Sequence, residues 1–142
     1  MKNTIYTFAV MIGLSAIASS ALMAQKMQET GTIPFDFQVA GQKVAAGSYI
    51  VSRDTTSGGT SLLSLRGTET RKGIYLPVSV GKAGATGQSK LVFRKYGDRY
   101  FLAEVWFPEE SIGHVYPASP AEKELAAATN QQAPEVTYVA MR

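Results

Sequence analysis

The fold of this chain is decided by residues 90–107, which read Lys90-Leu91-Val92-Phe93-Arg94-Lys95-Tyr96-Gly97-Asp98-Arg99-Tyr100-Phe101-Leu102-Ala103-Glu104-Val105-Trp106-Phe107. Two runs rich in β-branched and aromatic residues flank the dipeptide Gly97-Asp98, which is typical of a tight hairpin turn. The stretch therefore predicts two antiparallel strands joined by a short turn.

The length of that turn decides which side chains share a face of the hairpin. A two-residue turn pairs Arg94 with Phe101 and mixes polar and apolar side chains on both faces. A three-residue turn pairs Phe93 with Ala103 and gives one apolar face, which burial favours. We therefore predict the three-residue turn, Gly97 to Arg99. Its outer face then carries Arg94, Tyr96, Tyr100 and Glu104, with Arg94 and Glu104 as near neighbours across the strands.

Alternating apolar and polar residues predict further strands on both sides of the hairpin. They cover residues 33–39, 48–53, 62–65, 73–80 and 136–141. Pro34 has no N–H to give to a ladder, so the strand at 33–39 is expected to start there or to lie at a sheet edge. The segments 54–59, 81–88 and 108–117 are predicted loops.

One short helix is predicted over about residues 120–129. Ser119 is a suitable N-cap, Pro120 takes the first helical position, and Glu122 completes a capping box. Leu125 is expected to pack against the sheet.

Residues 1–24 have the layout of a secretory signal peptide. Lys2 provides the positive start, Ile5 to Leu14 is apolar, and a small-residue stretch ends at Ala24. We predict cleavage after Ala24, with Ala21 as the alternative, and an exported domain over residues 25–142 that does not insert into a membrane. An uncleaved N-terminal anchor is the alternative to cleavage, because residues 5–24 are just long enough to span a bilayer. The pattern leaves open whether that domain stays in the periplasm or is released from the cell.

The composition limits what this domain can be. It has no cysteine, so disulfides and thiolate metal sites are excluded and burial must supply its stability. Without Lys2, 13 basic and 11 acidic residues leave a mild net charge of +2, which does not call for a polyanionic partner.

Four motifs occur in a recognisable order along the chain. They are Ile33-Pro34-Phe35-Asp36-Phe37, Ala46-Gly47-Ser48-Tyr49, the hairpin Leu91 to Leu102 and the helix segment Ser119 to Leu125. The chain resembles a group of small secreted β-rich proteins of soil bacteria that combine these motifs. Pro120 stands where that group leads us to expect a basic residue. The resemblance implies export and a compact β fold, and it carries no activity and no functional residue.

His114 is the single histidine, and it is the best candidate for chemistry in the sequence. With Glu109 and Glu110 it could form a hard-metal cluster, although a solvated acidic turn is the simpler interpretation. Serines and aspartates for a hydrolytic triad exist, but the chain has no Gly-x-Ser-x-Gly elbow. No metal and no cofactor is predicted.

The hairpin also interleaves basic and aromatic side chains. Lys90, Arg94, Lys95 and Arg99 alternate with aromatic residues in the manner of a single-stranded nucleic-acid platform. Export and the mild charge argue against nucleic acid, and an ordinary amphipathic hairpin explains the pattern. The candidate ligand-binding residues are Arg94, Tyr96, Tyr100 and Trp106.

Together these observations predict a mainly β fold, either a small antiparallel barrel or a two-sheet sandwich of about seven strands with one short helix. The predicted core contains Phe35, Phe37, Tyr49, Val51, Leu63, Phe93, Phe101, Val105 and Phe107. The predicted function is a non-enzymatic, exported or envelope-associated binding module. Its partner is a small apolar ligand or an envelope protein, with residues 33–39 as the candidate edge for strand addition. The alternative is a small secreted hydrolase or carbohydrate-active enzyme that uses the His114 loop.

Overall fold

The computed structural model describes residues 27–142 except 56, 60, 79, 80, 85, 86, 131 and 132, so the predicted signal peptide lies outside the described residues. The described chain contains eleven strands and one helix. Their bounds are β1 Met27–Ile33, β2 Phe37–Val39, β3 Gln42–Val44, β4 Gly47–Thr55, β5 Ser61–Gly67, β6 Gly73–Pro77, β7 Gly81–Ala83, β8 Lys90–Tyr96, β9 Arg99–Trp106, β10 Ile112–Val115, α1 Pro120–Ala128 and β11 Glu135–Ala140.

The strands form two sheets packed as a sandwich. The first sheet has four strands in the order β1-β4-β5-β6. The second has seven, with the main order β11-β8-β9-β10-β7, and the β2-β3 ribbon joins it beside β9. All pairs of described strands are antiparallel except β2 with β9. The mainly β prediction is confirmed as a sandwich, and the closed-barrel alternative is wrong.

The core lies between the two sheets. Val51, Leu63, Leu65 and Leu76 enter it from the first sheet, and Leu91, Phe93, Leu102, Val105 and Val139 from the second, with Phe107 just after β9. Of the predicted core, Phe37, Val51, Leu63, Phe93, Val105 and Phe107 are buried in this cluster, while Phe35 and Tyr49 are partly buried against it. Phe101 is also buried, but it lies outside the cluster, on the other face of β9.

The prediction of one strand over residues 33–39 is wrong. The run is split at Pro34–Asp36, where the chain leaves the first sheet and enters the second. The Asp36 carboxylate accepts a hydrogen bond from the Ala46 N–H at 2.8 Å, which ties the crossing in place. Alternation persists through the break because Ile33 and Phe37 reach the same core from opposite sheets.

The hairpin uses both registers that the sequence offered. At the turn, Tyr96 pairs with Arg99 and Arg94 with Phe101, which is the two-residue turn that we did not favour. Farther out, Val92 pairs with Glu104 and Leu91 with Val105, after a bulge that inserts Ala103. The bulge lets a tight turn coexist with one apolar face. The predicted Arg94–Glu104 neighbourhood is wrong, because Arg94 is opposite Phe101.

Three short strands that we did not predict raise the number from about seven to eleven, together with the split at Pro34. They are β3, β7 and β10, with three or four residues each. Residues 81–83 and 112–115 are therefore strands where loops were predicted, and part of the predicted 81–88 loop lies outside the described residues. All three strands contain exposed residues, and β7 and β10 also contain a glycine, so pairing with neighbouring strands is what forms them.

The helix has the predicted N-cap, but the prediction that Glu122 completes a capping box is wrong, because its carboxylate is paired with Arg94. Ser119 Oγ accepts a hydrogen bond from the Glu122 N–H at 3.2 Å, and Pro120 occupies the first turn. Leu125 is half-buried, whereas Glu122 is the buried residue of the helix.

The end of the chain joins the two sheets at one corner. After β11, Arg142 exchanges two backbone hydrogen bonds with Thr30 of β1, with N···O distances of 2.7 and 3.0 Å. Met141, just before it, is buried in the core.

Candidate functional site

Arg94, a predicted ligand-binding residue, is engaged inside the protein. It projects from β8 toward α1, where its guanidinium forms a two-pronged ion pair with the buried carboxylate of Glu122. Its Nη2 also donates to the Tyr116 carbonyl at 3.0 Å. These contacts fix the helix on the outer face of the second sheet, so Arg94 serves the fold here.

The structure separates the other three predicted binding residues. Tyr96 lies beside Arg94, edge-on to Phe101, and its pKa is raised by burial and by the charge of Glu122. Tyr100 lies on the opposite face, with its ring stacked 3.7 Å from that of Phe35. Trp106 is buried at the far end of β9. The four residues therefore line no common pocket.

Trp106 is held by a polar network on the outer face. Its Nε1 donates to Glu104 at 2.8 Å, and Lys82 Nζ forms an ion pair with the same carboxylate at 2.9 Å. The ring packs over Gly84 and Gly113, where any side chain would collide with the indole. The amino group of Lys90 lies over the rings of both Trp106 and Tyr138, at 5.7 and 5.3 Å from their centroids.

His114 lies on β10, at the side of an open cleft of about 460 Å³ between the two sheets. Its Nε2 is 3.0 Å from Oε2 of Glu110, and the other oxygen of that carboxylate is 2.5 Å from Nη1 of Arg53. Glu109, Ser111 and Ile112 also line the cleft. The structure thus brings His114 and Glu110 together. With Arg53 they form a row of three side chains, in which the Glu110 carboxylate contacts the other two.

Among the described residues, this row does not have the connections of a hydrolytic triad. One nitrogen of His114 is occupied by Glu110, and Nδ1 is buried without a hydrogen-bond partner among the described residues. A catalytic histidine needs its second nitrogen directed at a nucleophile. The described residues also contain no group of three or more histidine, cysteine or acidic side chains that could hold a metal ion.

A second open cleft, of about 410 Å³, lies near the hairpin turn. Its lining includes Asp36, Lys43, Asp98 and Arg99, with Tyr100 at one side. Two acids and two bases give it no dominant charge, and Asp36 is already bonded to the Ala46 N–H. The cleft therefore selects no class of ligand by charge.

Large exposed side chains occur on two edge strands, with Tyr75 on β6 and two residues on β11. Val136 is 47 % exposed and Tyr138 63 % exposed, both on the outer face of the second sheet. β11 pairs with β8 along one side, and no described strand pairs with its other side between Glu135 and Val139. Large apolar side chains and an open edge therefore occur on the same strand.

The backbone direction of β11 follows from its neighbours. The Met141 N–H donates to Ser89 O at 2.9 Å, toward the β8 side, whereas Arg142 bonds to Thr30 on the other side. Successive residues of a strand direct their N–H and C=O groups to opposite sides. Hence Thr137 and Val139 bond toward β8, and the N–H and C=O groups of Val136 and Tyr138 face the open edge.

Sequence reasoning did not find this surface. Residues 136–141 alternate, which predicted the strand, but apolar residues occur at both parities: Val136 and Tyr138 on one side, Val139 and Met141 on the other. Only the pairing with β8 decides which set faces the core.

No helix in the described part of the chain is both long and apolar enough to cross a membrane. A scan against models of protein families, a search of curated proteins and a search of solved structures give no match. The geometry of β11 and of the His114 cleft is therefore what bears on function.

Proposed function

We propose that this protein is an exported, non-catalytic binding module that takes up an extended protein segment by strand addition at β11. The observation that carries the proposal is the open edge of β11 together with its exposed Val136 and Tyr138. Unpaired N–H and C=O groups along an edge are a template for another strand. The partner would present apolar side chains at alternate positions, to cover Val136 and Tyr138.

The protection of this edge is weak, which supports a binding role. Natural sheet edges are commonly shielded by lysines, prolines, bulges or a covering element. In β11 the only charged residue is Glu135, which is paired with Lys95 at 3.4 Å, and the pairing with β8 is regular. An unguarded apolar edge of this kind is an aggregation hazard unless a partner uses it.

A protein partner is favoured over the small apolar ligand that the sequence also suggested. The interior between the sheets is filled by large side chains such as Phe93 and Phe107, both fully buried. The two open clefts are lined by several charged residues. An apolar small molecule prefers an enclosed, largely apolar pocket.

The proposal includes export and membership of the secreted group that the chain resembles. Residues 1–24 and the four motifs support both. Sequencing the N-terminus of the protein recovered from its own host would test export, with Gln25 as the expected first residue. A chain that keeps its leader would contradict this part of the proposal.

Strand addition is tested with a synthetic peptide that has the β11 sequence Glu135–Ala140. In ¹⁵N-labelled mature protein, we expect it to shift the amide signals of Val136 and Tyr138 and to slow their hydrogen exchange. The control is the same peptide N-methylated at Val136 and Tyr138, which removes the N–H groups that the ladder with β11 would use. Equal effects of both peptides, or shifts confined to other strands, would refute strand addition.

Hydrolysis at the His114 cleft is the alternative function, and the Glu110–His114 pair beside an open cleft is what favours it. Its test is a broad hydrolase screen of the wild-type protein against His114→Gln. Activity that the substitution abolishes would replace the binding proposal.

A further inference from the structure

From the geometry of β11 we infer that the segment it binds is β11 of a second copy of this chain. This inference rests on the proposed function. The two strands would run antiparallel about a two-fold axis at Thr137, and the two seven-stranded sheets would become one continuous sheet. This pairing is favoured by the direction of the backbone groups, the length of the open edge and the side chains that would meet.

The backbone groups restrict the pairing. A two-fold axis perpendicular to the sheet pairs outer-face residues with outer-face residues, so the axis must pass through a residue. Val136 and Tyr138 both direct their N–H and C=O groups outward. With the axis at Thr137, Val136 of each copy is opposite Tyr138 of the other, and the two pairs form four backbone hydrogen bonds.

The two neighbouring registers of the β11–β11 pairing allow fewer backbone hydrogen bonds or use a part of the edge that is not open. An axis at Val136 would put Pro134, which has no N–H, opposite Tyr138. An axis at Tyr138 would bring the second copy against Ala140 and Met141, which lie beside Gly31 of β1. The axis at Thr137 is the one that uses only the open part of the edge.

The side chains in this register are complementary. On the outer face, each exposed Val136 covers the exposed Tyr138 of the second copy, a β-branched and aromatic pair that stabilises antiparallel sheets. On the inner face, Thr137 meets Thr137. Glu135 is opposite Val139, so no like charges face each other. Two five-residue strands form a small contact, and we therefore expect a reversible dimer that depends on protein concentration.

A cysteine substitution tests the axis directly, because the chain has no cysteine of its own. In the proposed dimer the two Thr137 residues form a non-hydrogen-bonded pair with Cα atoms about 4.5 Å apart, within the range that a disulfide spans. Thr137→Cys in the mature protein should therefore become a covalent dimer under mild oxidation. The matched control is Tyr75→Cys, at a tyrosine that is 67 % exposed on β6 of the other sheet.

Sedimentation measurements over a concentration series complete the test. We expect the wild-type mass to rise toward that of a dimer, and Val136→Pro and Tyr138→Lys to raise the dissociation constant about tenfold or more. Tyr75→Lys should leave it unchanged. Val136→Pro removes an edge-facing N–H that β8 does not use. If it does not fold, as circular dichroism would show, Tyr138→Lys and Thr137→Cys carry the test.

The outcomes separate this inference from the proposed function. A wild-type protein that stays monomeric, with Thr137→Cys failing to cross-link, overturns the second copy as partner. If the β11 peptide still binds to that monomer, strand addition stands and the partner is another extended segment. If the peptide also fails to bind, both proposals fall.

Discussion

Glu104 is the side chain that organises the outer face near Trp106. Burial alone would raise the pKa of its carboxyl above the ordinary value of 4.5, but hydrogen bonds from Lys82 and Trp106 and the charges of Lys82 and Lys90 lower it instead. The unfolded chain therefore takes up a proton at Glu104 at a higher pH than the folded protein does. The stabilisation is complete above pH 4.5 and is lost as the pH falls through the lower folded pKa.

We predict that Glu104→Gln removes part of the acid sensitivity of the fold. The free energy of unfolding, measured by urea titration between about pH 3 and 7 with Trp106 fluorescence, should fall less steeply below pH 4.5 than in the wild type. Glu135→Gln is the control, because Glu135 is exposed and holds only a surface ion pair. If the free energy of unfolding of Glu104→Gln falls below pH 4.5 as steeply as that of the wild type, this network does not couple folding to protonation.

Gly113 is required by the indole that lies on it. A Cβ at this position would overlap the Trp106 ring. We expect Gly113→Ala to destabilise the protein by about 1–3 kcal/mol, because the ring must shift within a packed environment, and to change the Trp106 emission. Gly87→Ala is the matched control, since a Cβ there meets nothing within 4 Å. Equal unfolding midpoints for the two variants would contradict this role.

At the scale of elements, α1 depends on its N-cap. Ser119 Oγ accepts from the Glu122 N–H, so Ser119→Ala should cost about 1 kcal/mol. Ser119→Asp keeps an acceptor at the cap and should cost less. Urea unfolding of the two variants distinguishes the lost hydrogen bond from a general intolerance of substitution, which would affect both equally.

The helix is attached to the sheet by the Arg94–Glu122 ion pair. Breaking a buried pair leaves one charge uncompensated, so Glu122→Leu alone should cost about 3 kcal/mol. Arg94→Met together with Glu122→Leu should recover much of that loss, because both charges are then absent. A double-mutant cycle in urea measures the coupling. Costs that simply add would mean that the pair contributes no interaction energy.

The hairpin and the 33–39 segment show where element-level prediction ended. Alternation and turn residues identified β8, β9 and β11, and the capping residues identified α1, because those signals are local. The bulge at Ala103 was not predictable, since it reconciles the tight turn with burial against the other sheet. The break at Pro34 was hidden for a related reason: Ile33 and Phe37 alternate as one strand would, although they belong to different sheets.

For the whole molecule, the sequence predicted the fold class but not the position of the edges. β7 and β10 have three or four residues and are held by tertiary pairing, so no local sequence pattern predicts them. His114 was expected in a loop, but it lies on β10, because that strand is formed by tertiary pairing. The open edge at β11 was missed because exposure of Val136 and Tyr138 depends on the order of strands in the second sheet. Local pattern determines elements here, and sheet order determines the candidate site.

The sandwich is closed at one corner by the segment after β11. Met141 is buried against Gly31, while Arg142 is exposed and pairs with Thr30 through its backbone alone. Met141→Ala should therefore cost about 2–4 kcal/mol, because it leaves a cavity between β1 and β11. Arg142→Ala keeps the backbone bonds and should change stability by less than about 0.5 kcal/mol. Urea unfolding of both variants checks this, and a loss in Arg142→Ala as large as in Met141→Ala would mean that side-chain burial is not what holds the corner together.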